Sequence, residues 1–175
     1  FLLPDSQILF MDLPFSYPDL SIHSRVIAHD ISYIPARNFA RQETEVKKQA
    51  QHVLITTGGS VNESVYFQLV KELIKEEYRD INFEFIGRPA SYSSNNLNLN
   101  FNSFGSNFDA VAKNCDTAIS TSGTTIWDLL ANKILVGVTV TVDNQRANFD
   151  YVVQSGQALA VLDPENHKLD VQALR

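Results

Sequence analysis

From residue 52 onward, short apolar runs alternate with longer amphipathic stretches. His52 to Thr57 carries Val-Leu-Ile and is broken by Gly58-Gly59-Ser60, which reads as a strand and a tight turn. Residues 62–78 place Tyr66, Leu69, Val70, Leu73 and Ile74 at helical spacing, with charges on the other side. Ser60-Val61-Asn62-Glu63 has the spacing of a capping box at that helix start. Ile81 to Ile86 is a second strand, closed by Gly87-Arg88-Pro89, and residues 90–96 are a polar loop. Leu97, Leu99 and Phe101 alternate with Asn98, Asn100 and Asn102, the period-2 pattern of an edge or half-exposed strand. A short helix over 107–114, a strand at Thr117–Ser120, a helix at Gly123–Asn132 and a β-branched strand at Ile134–Val140 follow. Arg146–Gln154 reads as a helix stopped by Gly156, and Ala158–Leu162 as the last strand.

Strands that alternate with helices give parallel βαβ units. The expected fold is therefore α/β, an open, mainly parallel Rossmann-like sheet with helices on both faces. In such sheets ligands bind beyond the carboxyl ends of the strands, so the loops that follow each strand are where function is sought. Residues 1–50 are different. Ile8 to Met11 reads as a short strand ending at Asp12, Pro14, Pro18 and Pro35 discourage long helices, and 38–50 are helix-compatible with a thin apolar face. The chain divides on this reading into 1–40, a linker or the remnant of a preceding domain, and 41–175, a Rossmann-like domain. The start at Phe1, without methionine, reads like a chain cut from something longer.

Composition narrows the chemistry. The 175 residues include 44% hydrophobic and 19% charged ones, with a net charge of −6, as in a soluble globular protein. No basic cluster exceeds Lys47-Lys48, which argues against a nucleic-acid partner. A single cysteine, Cys115, excludes an intrachain disulfide and a cysteine-based zinc site, and it reads as a small core residue. His23, His29, His52 and His167 lack metal-ligand spacing, so no metal is expected. No apolar run reaches the length of a membrane span, and with its acidic balance the chain is expected in the cytoplasm.

Four strand-end loops carry the candidate site. Thr57, Gly58, Gly59 and Ser60 follow a strand and precede a helix. Glycines there let the backbone approach an anion, and helix N-termini supply N–H donors; a plain βα turn capped by Ser60 explains the same residues. The segment is neither a Walker A motif nor a GxGxxG fingerprint. Ser122, Gly123, Thr124 and Thr125 form a second loop of the same kind, rich in hydroxyls. Two such loops on one sheet point to a diphosphate held between them. Asp128, one helical turn on, suits the hydroxyls of a ribose; its alternative is a capping partner for Thr125. Asn144 and Gln145 suit sugar hydroxyls or phosphate, or Asp143 and Asn144 cap the helix that follows. Gly87 would edge a base. No catalytic residue is assigned: no GxSxG elbow and no carboxylate pair is evident.

The string from Cys115 to Leu162, CDTAISTSGTTIWDLLANKILVGVTVTVDNQRANFDYVVQSGQALAVL, resembles the C-terminal half of GT-B nucleotide-sugar enzymes. It is most like the UDP-sugar hydrolases of the pseudaminic-acid pathway and relatives in spore-coat polysaccharide synthesis, and more distantly the peptidoglycan UDP-N-acetylglucosamine transferase. Val53 to Ser60 resembles the glycine loop that opens this half, and Ile34 to Phe39 the short segment before it. The resemblance implies a C-terminal GT-B domain in which Gly58, Gly59, Ser60, Ser122, Gly123, Thr124 and Thr125 lie at the diphosphate of a UDP-sugar. It implies Asn144 and Gln145 at the sugar or phosphate, and Asp128 at the ribose, where the family usually has Glu. It further implies a UDP-sugar substrate with no cofactor, an N-terminal domain or partner subunit that completes the enzyme, and a place in bacterial surface-glycan synthesis. A donor-binding subunit of a split two-chain glycosyltransferase, and a flavodoxin-like α/β domain without a sugar role, are the other readings.

Overall fold

A computed structural model describes residues 6–10, 24–28, 36–39, 49–58, 63–73, 78–87, 98–103 and 108–161. The chain forms two compact units, Phe1–Ala36 and Arg37–Arg175. In the first, strand β1 (Ser6–Phe10) pairs in parallel with β2 (Ser24–Ala28), Ser6 opposite Ser24 and Phe10 opposite Ala28. The second strand lies in a stretch whose prolines read as irregular.

The second unit is a six-stranded, all-parallel sheet. Its elements run β3 (His52–Thr56), α1 (Glu63–Leu73), β4 (Asn82–Ile86), β5 (Leu99–Asn102), α2 (Phe108–Ala112), β6 (Thr117–Thr121), α3 (Thr125–Ala131), β7 (Leu135–Thr139), α4 (Arg146–Gln154) and β8 (Leu159–Ala160). The spatial order is β5-β4-β3-β6-β7-β8, so the winding direction reverses between β3 and β6. The α/β class, the parallel sheet and the edge position of the Asn-alternating strand are as the sequence pattern implies.

Strand side chains alternate between the two faces. Val53 and Ile55 of β3, Phe83 and Phe85 of β4, Leu99 of β5 and Ile119 of β6 pack against Val65, Tyr66, Leu69, Val70 and Leu73 of α1. The residues between them, Leu54 and Ala118, are also fully buried, so both faces of the sheet centre are covered, as a parallel sheet requires. Register at the centre is pinned by Asp116. Its carboxylate accepts the Gln51 and His52 N–H groups at 2.9 and 3.0 Å, and its own N–H donates to the His52 carbonyl at 2.8 Å. On the outer edge, the Asn100 and Asn102 amides donate to the two Glu84 carboxylate oxygens at 3.0 and 2.8 Å, which explains the Asn alternation as a polar ladder between β5 and β4.

Two local expectations change. The helix start at Arg146 is not capped by Asp143 or Asn144: Asp143–Gln145 form a 3-10 turn and no side-chain cap bond is made. Asp128 does not cap Thr125; it turns toward Arg37. The helix pattern over 40–48, the Ser60 capping box, Arg88, loop 90–96 and His23, His29 and His167 lie outside the described residues. Cys115 is a buried thiol outside any disulfide that donates to the Val111 carbonyl, a core role.

Candidate functional site

The reversal of strand order puts the ends of β3 and β6 side by side, Thr56 opposite Ser120. This is the crevice where open α/β sheets bind ligands. At the β3 end, Thr56 and Thr57 are buried and Gly58 takes φ +79°, a left-handed conformation that favours glycine. The Gly58 N–H donates to Thr56 Oγ1 at 3.2 Å. A Cβ on Gly58 would stand 3.6 Å from Thr121 Oγ1, so the glycine turn of one strand lies directly against the last residue of the next. That Thr121 hydroxyl is buried and has no hydrogen-bond partner among the described residues. Gly59 and Ser60 lie outside the described residues.

The β6 end is built from its neighbour β7. The Ser122 N–H and Oγ both donate to the Thr139 carbonyl at 2.9 Å, and the Asn148 amide of α4 donates to the Ser122 carbonyl at 3.2 Å. The Ser122 donors are thus used within the fold, and its side chain is fully buried. Gly123 and Thr125 are half-buried and Thr124 is exposed, with no side-chain cap bond made by its hydroxyl. Gln145 faces this loop. Its Oε1 accepts the Thr141 N–H at 3.0 Å and Oγ1 at 3.2 Å, and a Cβ on Gly123 would lie 3.9 Å from its Nε2. Gln145 and the Ser122–Thr125 loop therefore meet, whereas Asn144 beside it is exposed. Gly87 ends β4 at φ +88° and donates its N–H to the Asn102 carbonyl at 2.8 Å.

Two groups that sequence reasoning left out organise these loops. Tyr66 of α1 is fully buried, and its hydroxyl donates to the Ile86 carbonyl at the end of β4, with the Ile55 carbonyl of β3 at 3.4 Å. It thereby ties the glycine turn at Gly58 to the turn at Gly87. Burial pushes the phenol up to about 12, against hydrogen bonds from Thr57 that pull it down.

The second is Arg37. Its backbone N–H donates to Asp128 Oδ1 at 2.7 Å, its Nε to Oδ2 at 2.9 Å, and its Nη2 lies 2.8 Å from Oδ2. Nη1 reaches Asp109 Oδ1 at 2.9 Å, and the guanidinium carbon stands 4.9 Å from the Phe108 ring centre and 5.7 Å from that of Phe39. Asn132, one turn beyond Asp128, donates to the Arg37 carbonyl at 2.6 Å and accepts the Phe39 N–H at 2.9 Å. Arg37–Phe39 is thus strapped along α3. Spacing could not reveal a pair 91 positions apart; the arginine in a short segment that ends in Phe39 was its only trace.

Among the described residues no group of His, Cys, Asp and Glu could hold a metal ion, and no helix is long and apolar enough to cross a membrane.

No known protein family and no curated protein matches the sequence. Solved structures do share its fold, glycosyltransferases among them. SnogD from Streptomyces nogalater is 18% identical with a TM-score of 0.51, over 73% of this chain and 36% of its own. UGT89C1 from Arabidopsis thaliana, complexed with UDP-L-rhamnose, is 9% identical with a TM-score of 0.55, over 75% and 34%. The glycotransferase of kitacinnamycin is 18% identical with a TM-score of 0.54, over 81% and 38%. The chain spans about a third of the length of these enzymes and has the Rossmann-like α/β fold of a GT-B glycosyltransferase domain.

Proposed function

We propose that the unit Arg37–Arg175 is the nucleotide-sugar-binding half of a GT-B enzyme that transfers or hydrolyses a UDP-linked sugar. The observation that carries this reading is the juxtaposition of the β3 and β6 ends at the reversal of strand order, glycine turn against hydroxyl loop. Gly58 and Thr57, with Gly59 and Ser60, face the diphosphate from one side, and Gly123, Thr124 and Thr125 from the other. The buried Ser122 acts by fixing that second loop to β7. Gln145 and Asn144 serve the sugar or phosphate, Gly87 edges the base, and Asp128 receives the ribose.

Hydroxyls and backbone N–H groups stabilise the charge on a leaving diphosphate without proton transfer. The acceptor half, which brings the attacking water or hydroxyl, comes from a further domain or a partner subunit. That assignment is supported by the chain spanning about a third of the glycosyltransferases it resembles. Cytoplasmic surface-glycan synthesis is the setting we infer, from the resemblance of the Cys115–Leu162 string.

The test is calorimetric titration of the folded chain with UDP, alongside thermal unfolding. At ten times Kd, UDP adds about 1.4 kcal/mol, which raises Tm by roughly 3–6 °C for a chain of this size. Thr124→Val removes an exposed hydroxyl that makes no cap bond, so it should leave Tm without ligand unchanged while weakening UDP by about tenfold. No heat and no thermal shift at millimolar UDP, with native circular dichroism, would sink the nucleotide reading.

A further inference from the structure

The carboxylate that suits a ribose already has an occupant. Asp128 Oδ1 accepts the Arg37 N–H, and Oδ2 takes the Nε and Nη2 fork, while the side chain is only 14% exposed. Each Asp128 oxygen accepts one Arg37 hydrogen bond, and Nη2 closes on Oδ2 at 2.8 Å as an ion pair, which blocks the remaining acceptor position there. A cis-diol recognised by both oxygens needs one on each, so the guanidinium fork must leave Oδ2 before a ribose can bind there.

Its departure is prepared by the surroundings. Nη1 already lies 2.9 Å from Asp109, and the Phe108 ring is beneath the guanidinium, so the cation has a second carboxylate and a π face to settle on. Asn132 holds the Arg37 carbonyl and the Phe39 N–H whichever way the side chain points. The side chain is 51% exposed, and ion pairs in that setting are weak enough to be exchanged.

We propose that Arg37 is a displaceable latch on the ribose site: it occupies Asp128 in the empty protein, and a nucleotide's ribose diol drives its guanidinium over to Asp109 and Phe108. This rests on the nucleotide-binding reading above. The latch lowers nucleotide affinity, because the ligand must select the state in which Asp128 is open. It also couples an occupied site to the segment by which the chain enters this unit.

The experiment measures UDP and 2′-deoxy-UDP affinities on the wild-type chain, Arg37→Ala and Arg37→Lys. Arg37→Ala should bind UDP about two- to fivefold more tightly, the scale of releasing a half-exposed ion pair. That gain should vanish with 2′-deoxy-UDP, which lacks half of the diol. Arg37→Lys, which cannot form the fork, should fall between, and it decides the matter if Arg37→Ala does not fold. Unchanged or weaker UDP binding by the variants overturns the latch and leaves the nucleotide reading standing. An equal gain for both ligands also overturns it, because the competition would not involve the ribose. No binding of UDP by any of the three chains defeats the nucleotide reading and the latch together.

Discussion

Tyr66→Phe probes the tie beneath the two glycine turns, and its effect has two parts, one independent of pH and one lost in alkali. At neutral pH the variant leaves the Ile86 carbonyl without its buried donor, at a cost of about 1–3 kcal/mol. With a urea slope of roughly 2 kcal/mol/M, the unfolding midpoint should fall by about 0.5–1.5 M at unchanged slope. The second part comes from the phenol proton. Tyr66 holds it up to about 12 when folded, against 10.0 as its ordinary value. The raised group favours folding fully below pH 10, and that contribution is lost as pH climbs from 10 through 12, where the unfolded chain releases a proton that the folded one keeps. The loss amounts to about 1.4 kcal/mol by pH 11 and approaches ~2.7 kcal/mol above pH 12. The phenylalanine variant has no proton to lose at this position. The stability gap between the two chains should therefore shrink from pH 9 to 11 by about 1.4 kcal/mol, whatever the other tyrosines and lysines do, because they titrate in both. Urea melts of both chains at pH 7, 9, 10 and 11 measure this gap. A gap that stays constant across that range would refute the assignment of Tyr66 as a buried neutral donor.

Phe85→Ala should cost about 3–5 kcal/mol in a urea or thermal melt, because the ring is fully buried, 5.3 Å edge-on from Tyr66 and 4.8 Å stacked on Phe101. Asn132→Ala removes the two strap bonds made by Asn132 and leaves those of Asp128, so amide exchange at Phe39 should quicken while β3 and β6 amides keep their protection; equal acceleration throughout would mean that the strap is part of the global fold.

The order and type of elements in Arg37–Arg175 were readable because each strand is a short apolar run and each helix a 3.6-period stripe, with Gly58, Gly87 and Gly156 marking where the chain turns. The Asn-alternating strand was readable as an edge because only one of its faces could be apolar. What sequence could not supply was pairing across distance. Asp128 has the same spacing to Thr125 whether it caps, binds ribose or holds Arg37, and only the approach of residue 37 distinguishes these. Ser122 shares its hydroxyl chemistry with Thr124, yet one is buried on Thr139 and the other exposed, a difference set by how β6 sits against β7. Tyr66 read as a core position, and its hydroxyl gained a role from the two strand ends above it. The first unit was the least legible: β2 follows two prolines and has no helical or alternating signature to announce it.

The sheet grows outward from its centre in two wings. β3, β4 and β5 are successive in sequence, as are β6, β7 and β8, and each wing can zip from neighbour to neighbour over short intervening chain. Among the strand pairings of the sheet, β3–β6 is the one that joins distant segments; the His52–Asp116 contact at its foot spans 64 positions. Closing that seam carries the largest loop entropy of any strand pairing in the sheet, so it is the slowest of those pairings to form. Asp116 is then a register pin for a docking step, and the glycine turn meets Thr121 only once the wings have joined. The crevice is thus the youngest part of the folded molecule, and anything bound across it clasps the two wings together.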